Sequence, residues 1–578
     1  MFSKRWTTSE RRYGIIVERN LSIPMRDEIK LGATIVRPDA NGKFPAICGF
    51  HFFSEDLQTA PIRPTGINYA NGPVEAGDSN FFVRRGYIHV IVSTRGSGRS
   101  GGEMCNYSPT EHEDNAEAIE WVANQPWCDG NVGTFGASAF SVTAQQLAAL
   151  NPPHLKCIFA PWAWNDSYRD KLCHGGIISY GMQTSIPSMM PNPRCYSWTR
   201  RQFGDEKFKE LIDKVLQDDE ISSVPVLVEI IRNPEKGVNA WMTDVLLNPF
   251  DGPFYQERNA KLEAIKVPSY IGGCWGIFGL HLPGAFRAWE RIKAPKKMMI
   301  GPPYYLDRPV YQLQYESLRW FDHWLKGMDN GIMEEPPIRL FVPGTGEWKA
   351  TDDWPLPETK WTPFYLHSRG LLSEHEFWPH EGSSTFEDSP FRREGLTFSS
   401  PPLVENTEII GPITLNLYAS STDTEILWFI SLLDVDPQGE EKLLTRGWLR
   451  GSQGKVDPDR SKPWEAFHPH TGREPLTPGE IYEFVINIVP TANLFKVGHR
   501  IGLRIKCVDD EQPKTFLEAI AIGHLWRVRP SMVTVYHNAD CPSSLILPVT
   551  KGNIVGTFMS GGEIPPVLGR VVPPGLTL

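Results

Sequence analysis

The run Gly133-Thr134-Phe135-Gly136-Ala137-Ser138-Ala139-Phe140-Ser141 constrains the fold more than any other stretch of the chain. The turn Asp129-Gly130 precedes it, and residues 142–150 follow with the length and residue types of a helix, closed by Asn151-Pro152-Pro153. A strand, a Gly-x-Ser turn and a helix make a nucleophile elbow, in which the serine is held at the tip of a strained bend over the carboxyl edge of a parallel sheet. Such a bend admits small neighbours, and Gly136, Ala137 and Ala139 supply them. The place of the usual second glycine is taken by Phe140 or Ser141, depending on the elbow variant compared. Taken alone, the motif also reads as a plain strand-to-helix turn, so the flanking sequence must decide.

Upstream, residues 14–19, 29–38 and 44–50 read as strands, and 87–92 is a continuous apolar run of the kind buried on both faces of a parallel sheet. That run leads into Arg95-Gly96-Ser97-Gly98-Arg99-Ser100-Gly101-Gly102, where Gly96, Gly98 and Gly101 match GxGxxG in form. A dinucleotide fingerprint needs a helix opening at its last glycine, whereas residues 103–109 intervene here and no Walker lysine follows. No cofactor is expected. A helix is predicted over 113–124, with Ala116, Ile119 and Ala123 on one face and Pro126 ending it.

At 578 residues the chain exceeds one core and predicts two or three domains, and its 40% hydrophobic and 11% aromatic content can fill them. A formal charge of -10 supplies no basic field for phosphates, which argues against nucleic acid or an anionic membrane as partner. The N-terminus lacks the apolar core of a signal peptide and no run is long enough to span a bilayer, so a cytoplasmic protein is expected, with a homo-oligomer left open. Nine cysteines without a CxxC pair indicate neither a disulfide framework nor a zinc site. His468-Pro469-His470 offers two ligands without a third, and is expected to be solvated rather than metal-bound.

Met25-Arg26-Asp27, the Arg95–Gly102 run, Glu120 to Trp127 and the elbow occur in the order and spacing of a known family, as do Asn248 to Asp251, Phe321 to Gly327, the segment ending at Trp348, and Val497 to Leu503. The chain resembles the cocaine esterase and X-prolyl dipeptidyl-peptidase (CocE/NonD) family of serine hydrolases over nearly its whole length. The resemblance implies an α/β fold: an α/β-hydrolase domain from 1–160 and 262–350, a helical cap from 161–261, and a C-terminal jelly-roll β-sandwich from 360–578. Residues 267–271 and 297–300 would complete the sheet, and 413–418, 429–435 and 482–488 read as sandwich strands. The cap is rich in Trp162, Trp164, Met182, Met189, Met190, Trp198 and Phe203, which read first as cap core and, for some of them, as pocket wall.

The family's triad is then compared position by position. Ser138 matches the nucleophile. The acid position, after Gly272-Gly273-Cys274-Trp275, is Gly276, and the base position, after Gly301-Pro302-Pro303-Tyr304, is Tyr305. The oxyanion tyrosine is replaced in His51-Phe52-Phe53. A phenol titrating near pH 10 is a poor general base at neutral pH, and loss of a triad member costs on the order of 10⁴ to 10⁶ in rate. His281, Asp307 and His51 are the residues that could stand in for a missing member, though each also reads as a residue bonding its own loop.

Ordinary hydrolysis is therefore not the first expectation. Instead the comparison predicts an enzyme of small-molecule (secondary) metabolism that acts on an apolar substrate by cyclisation, elimination or rearrangement. Ser138, Tyr305 and His51 would be its catalytic residues, and Phe52, Phe53, Ala139, Trp162, Trp164, Trp275, Gly276, His281 and Tyr304 its pocket. A serine hydrolase or acyltransferase using Ser138 with a relocated base is the alternative, and a binding protein without turnover a third. The first reading expects no imidazole on Ser138.

Overall fold

A computed structural model describes residues 3–52, 75–104, 106–181, 184, 195–303, 309–374, 376, 381–509 and 523–552, with the backbone alone at 309–312. Ten strands form the first sheet: β1 (Gly14–Pro24), β2 (Lys30–Asp39), β3 (Phe44–His51), β4 (Ile88–Ser93), β5 (Cys128–Phe135), β6 (Leu155–Pro161), β7 (Ser269–Cys274), β8 (Lys296–Gly301), β9 (Ile338–Val342) and β10 (Glu347–Thr351). Their order is β1-β2-β4-β3-β5-β6-β7-β8-β9-β10. From β4 to β9 neighbours run parallel, and antiparallel pairs close both edges. The chain turns outward in opposite directions from β3 and β5, so the crevice beyond their carboxyl ends is the topological switch point where ligands bind in such sheets.

Alternate residues of the buried strands feed two cores, as the period of two requires. Ile158 and Ala160 of β6 face helices α1 (Pro109–Ala123), α2 (Ala139–Ala148) and α3 (Leu282–Arg291), joining Ala118, Leu147 and Ala288. Cys157 and Phe159 face the other way, onto Leu318, Phe321 and Leu325 of α4 (Pro309–Lys326). The helix predicted over 113–124 begins at Pro109, because Pro at a first helical position costs no hydrogen bond.

Between β6 and β7 the chain is mainly helical. Helices at Trp198–Val215, Pro225–Arg232 and Asn239–Leu247 enclose Trp198, Leu227, Ile231 and Val245 with Tyr168 and Tyr255, while Phe203 is exposed rather than part of that core. The C-terminal part is a twelve-stranded, mostly antiparallel sheet bent over its own core. Its long strand Thr407–Ser421 pairs with Tyr482–Phe495 on one side, and with Ser531–Asn538 and Ser544–Lys551 on the other, so the sandwich is joined into one barrel-like path. The architecture is an α/β-hydrolase fold with a helical insert and a C-terminal β domain. Buried Arg450 of that domain donates to Glu425 at 2.9 Å and to Glu220 of the insert at 2.5 Å. Among the described residues no helix is long and apolar enough to cross a membrane.

Candidate active site

Strand β5 ends at Phe135 and α2 opens at Ala139, leaving Ser138 as the capping residue with φ 56° and ψ -124°. That conformation costs a non-glycine residue about 1–3 kcal/mol, and it is the strained bend the sequence predicts. Its neighbours explain how Phe140 replaces a small residue. A Cβ on Gly136 would fall 2.0 Å from that of Phe140, and one on Gly49 would fall 2.8 Å from its ring. The ring therefore fills space that two glycines vacate, and it stacks on His51 with centroids 4.7 Å apart. Ser141 donates to the carbonyls of Gly136 and Pro161, tying the elbow to β6.

The imidazole Nε2 of His281 lies 3.3 Å from the Ser138 hydroxyl oxygen. This overturns the expectation that Ser138 has no imidazole beside it, and moves His281 from pocket wall to partner of the serine. The residue comes from the loop after β7. After Cys274, Trp275–Ile277 forms a single 3₁₀ turn that includes Gly276, and His281 caps α3 with its N–H on the Ile277 carbonyl at 3.2 Å. Close contacts hold α3 there. A Cβ on Gly284 would sit 2.1 Å from the Ala163 carbonyl oxygen, Asn165 donates to the Gly284 carbonyl at 2.7 Å, and the Trp162 N–H reaches the Gly272 carbonyl at 2.7 Å. The segments after β6 and β7 are thus locked together, and their adjacency to β5 aims His281 at the elbow.

Burial, reinforced by the positive charge of Lys171, pushes the His281 imidazole down to about 3. It is neutral at physiological pH, the form that accepts a proton. Burial also lowers His51, which sits between Phe52 and Phe140 with Nε2 3.3 Å from Glu75. Ala139 contributes the first N–H of α2, a group without a partner inside its own helix. Phe52, Trp162 and Trp164 share one apolar cluster with Ala137 and Ala139, and so wall the elbow. Trp275 points elsewhere, its Nε1 donating to the Phe341 carbonyl at 2.6 Å and its ring stacked on Phe286. Phe53, Tyr304, Tyr305, Asp307, Met182, Met189 and Met190 lie outside the described residues.

Lys171, which the sequence reading passed over, sits on the one-turn π-helix Ser167–Leu172 and is only 6% exposed. Its ammonium lies 5.0, 5.1 and 5.2 Å from the ring centroids of Tyr107, Trp164 and Trp241. Burial lowers it to about 7, against an opposing pull from Glu111, whose own carboxyl burial raises to about 7. No spacing in the sequence marks this residue, because its cage is assembled from three separate segments.

Two other sequence features prove structural. Arg95 pairs with Asp114 and Asp27 through both ends of its guanidinium, and a Cβ on Gly96 would fall 2.0 Å from the Met104 nitrogen, so the glycine-rich run is a tightly folded loop. His468 and His470 are buried, not solvated: the first bonds the Lys455 and Val485 carbonyls and the second Gln453. A cleft of about 560 Å³ bounded by the insert, α3 and the β domain, lined by Asp166, Arg169, Arg287 and Trp464 among others, does not include Ser138 or His281.

Known proteins resemble most of the chain. The X-Pro dipeptidyl-peptidase (S15 family) domain matches residues 27–304, and the X-Pro dipeptidyl-peptidase C-terminal non-catalytic domain matches 330–545. Cocaine esterase of a Rhodococcus species is 25% identical, with 93% of this chain and 99% of that protein aligned. A putative serine esterase of Mycobacterium tuberculosis is 27% identical, over 84% of this chain and 90% of that one. Among solved structures, a CocE/NonD family hydrolase from Staphylococcus aureus aligns with a TM-score of 0.74 and 25% identity, covering 93% of this chain and 94% of that one.

Proposed function

Because this chain belongs to the CocE/NonD and X-prolyl dipeptidyl-peptidase family of α/β-hydrolase-fold enzymes, we propose that it is a serine hydrolase of ester substrates in which His281 serves as general base. The observation that carries the reading is the 3.3 Å approach of His281 Nε2 to Ser138 Oγ at a strained elbow. The non-hydrolytic expectation rested on Gly276 and Tyr305 at the acid and base positions and foresaw no imidazole on Ser138; the approach of His281 instead favours the alternative of a base brought in from another loop.

Neutral His281 takes the Ser138 proton as Oγ bonds to the ester carbonyl carbon. The same proton passes to the alcohol oxygen as its bond to that carbon breaks, and a water repeats both steps on the acyl-serine. Negative charge on the carbonyl oxygen develops near the Ala139 N–H at the positive end of α2. The nearby Lys171 charge works against protonation of the imidazole. Each pKa unit by which a base is weakened costs about 1.4 kcal/mol, so neutral esters should turn over slowly. Esters are favoured over peptides with a free N-terminus because a substrate ammonium would meet the like charge of Lys171.

A fluorophosphonate probe should label Ser138, and Ser138→Ala and His281→Ala should each lower p-nitrophenyl ester turnover by about 10³-fold or more. Turnover that survives Ser138→Ala, or a wild-type protein the probe leaves untouched, would overturn the reading.

A further inference from the structure

Lys171, caged by rings of which two belong to the apolar cluster at the elbow, is a feature that ester hydrolysis alone does not use. Its side chain is nearly all buried, and among the described residues it has no hydrogen-bond or ion-pair partner; its ammonium lies against the faces of Tyr107, Trp164 and Trp241. Ring faces attract a cation but accept no strong hydrogen bond, so the described residues supply no acceptor for the ammonium protons. Glu111 does not supply it, since its carboxylate lies beyond ion-pair distance and accepts the Tyr107 N–H at 3.0 Å. The cage also borders the catalytic elbow. Tyr107 meets Trp164 edge-on at 4.8 Å and Phe52 at 6.0 Å, Phe52 packs on His51, and all but His51 belong to the cluster that holds Ala137 and Ala139.

We propose that Lys171 docks a carboxylate carried by the substrate, so that the enzyme hydrolyses esters of small, mainly apolar or aromatic molecules that bear one anionic group close to the scissile bond. This rests on the hydrolase reading above and adds the substrate's charge to it. A carboxylate matches all that surrounds the ammonium: it fills the missing acceptor, and the three rings cover the apolar body next to it. It also acts on His281. The Lys171 charge disfavours an imidazolium, and a bound carboxylate cancels that charge just when the histidine must take the serine proton. Substrate binding and base strength are thereby coupled through one residue, with Arg258, Glu111 and His51 the other titratable groups that Lys171 faces.

Matched pairs of esters test this. The mono-p-nitrophenyl ester of glutaric acid is compared with its neutral methyl diester, and p-carboxyphenyl butyrate with phenyl butyrate, placing the anion on the acyl or the alcohol side. In the wild type one anionic member should exceed its neutral mate by about tenfold or more in kcat/KM, Lys171→Met should bring that ratio close to one, and Lys171→Arg should keep part of it. Ratios near one in the wild type for both pairs, or a preference that survives Lys171→Met, would overturn the proposal while leaving Ser138-dependent hydrolysis standing. Calorimetry on Ser138→Ala supplies a readout free of turnover: benzoate should bind more tightly than benzamide, and the difference should vanish in Ser138→Ala/Lys171→Met. If no ester is hydrolysed, the hydrolase reading fails and calorimetry alone decides the anion site, equal binding of the two ligands refuting it.

Discussion

Arg287 grips the Asp170 carboxylate through both guanidinium nitrogens, at 2.6 and 2.9 Å, and so joins the helix opened by His281 to the turn that carries Lys171. Asp170 is 1% exposed and also accepts the Asn165 and Asp166 backbone N–H groups at 3.1 Å, so the pair fixes two loops of the site at once. Arg287→Ala would strand a buried charge, and should cost about 3–5 kcal/mol of stability in urea unfolding. Arg287→Lys should recover only part of this, because an ammonium cannot make the forked contact. A loss below about 1 kcal/mol for the alanine variant would show that the two loops hold together without the pair.

Two glycines mark places where backbone approaches too closely for any side chain. Gly136→Ala would drive a methyl into Phe140 Cβ, 2.0 Å away, and Gly284→Ala one into the Ala163 carbonyl, 2.1 Å away. Both displace a partner of the Ser138–His281 pair. Each variant should lose ester turnover by about 10²-fold while remaining folded by circular dichroism. Wild-type kinetics in either would mean that the elbow and α3 tolerate shifts that these close contacts forbid.

Because His281 is held down to about 3, its protonation cannot set the acid limb of the rate profile near 6.5, where an ordinary histidine titrates. On a neutral ester, kcat/KM of Lys171→Met, which lacks the ammonium that titrates at about 7 beside the imidazole, should stay on its plateau as pH falls through 6.5 and decline only toward the lowered value. An acid limb centred near 6.5 would assign the base to another, more exposed histidine.

Burial lowers His89 and His112 to about 4 and His174 and His281 to about 3. Below the unfolded value of about 6.5 the unfolded chain binds these protons and the native chain does not, so stability is fully present above that pH and drains away as pH falls toward 4, by up to ~1.4 kcal/mol per unit per histidine. Glu111 and Asp388, both raised to about 7, bind protons in the native state over the same window and oppose the trend, but they are two against four. Urea midpoints should therefore drop between about pH 7 and about pH 5, less steeply in His89→Gln. A midpoint that rises on acidification would refute this balance.

What the sequence determined by itself is whatever short-range rules encode. The elbow, the apolar strands, the change from helical insert to short strands, and the absence of a phosphate loop all follow from turn chemistry and periodicity within about twenty residues. The sequence offers His281, Asp307 and His51 as candidate partners of Ser138, but does not say which of them meets it. His281 is 143 residues from Ser138 and reaches it only because β5, β6 and β7 lie side by side and the loops after β6 and β7 interlock through Trp162, Gly272 and Gly284. Lys171 was hidden for the same reason, as the rings that surround it come from three separate segments of the chain. Ring faces and a serine partner brought together across such separations are decided by strand order and close packing, which no local pattern of residues records.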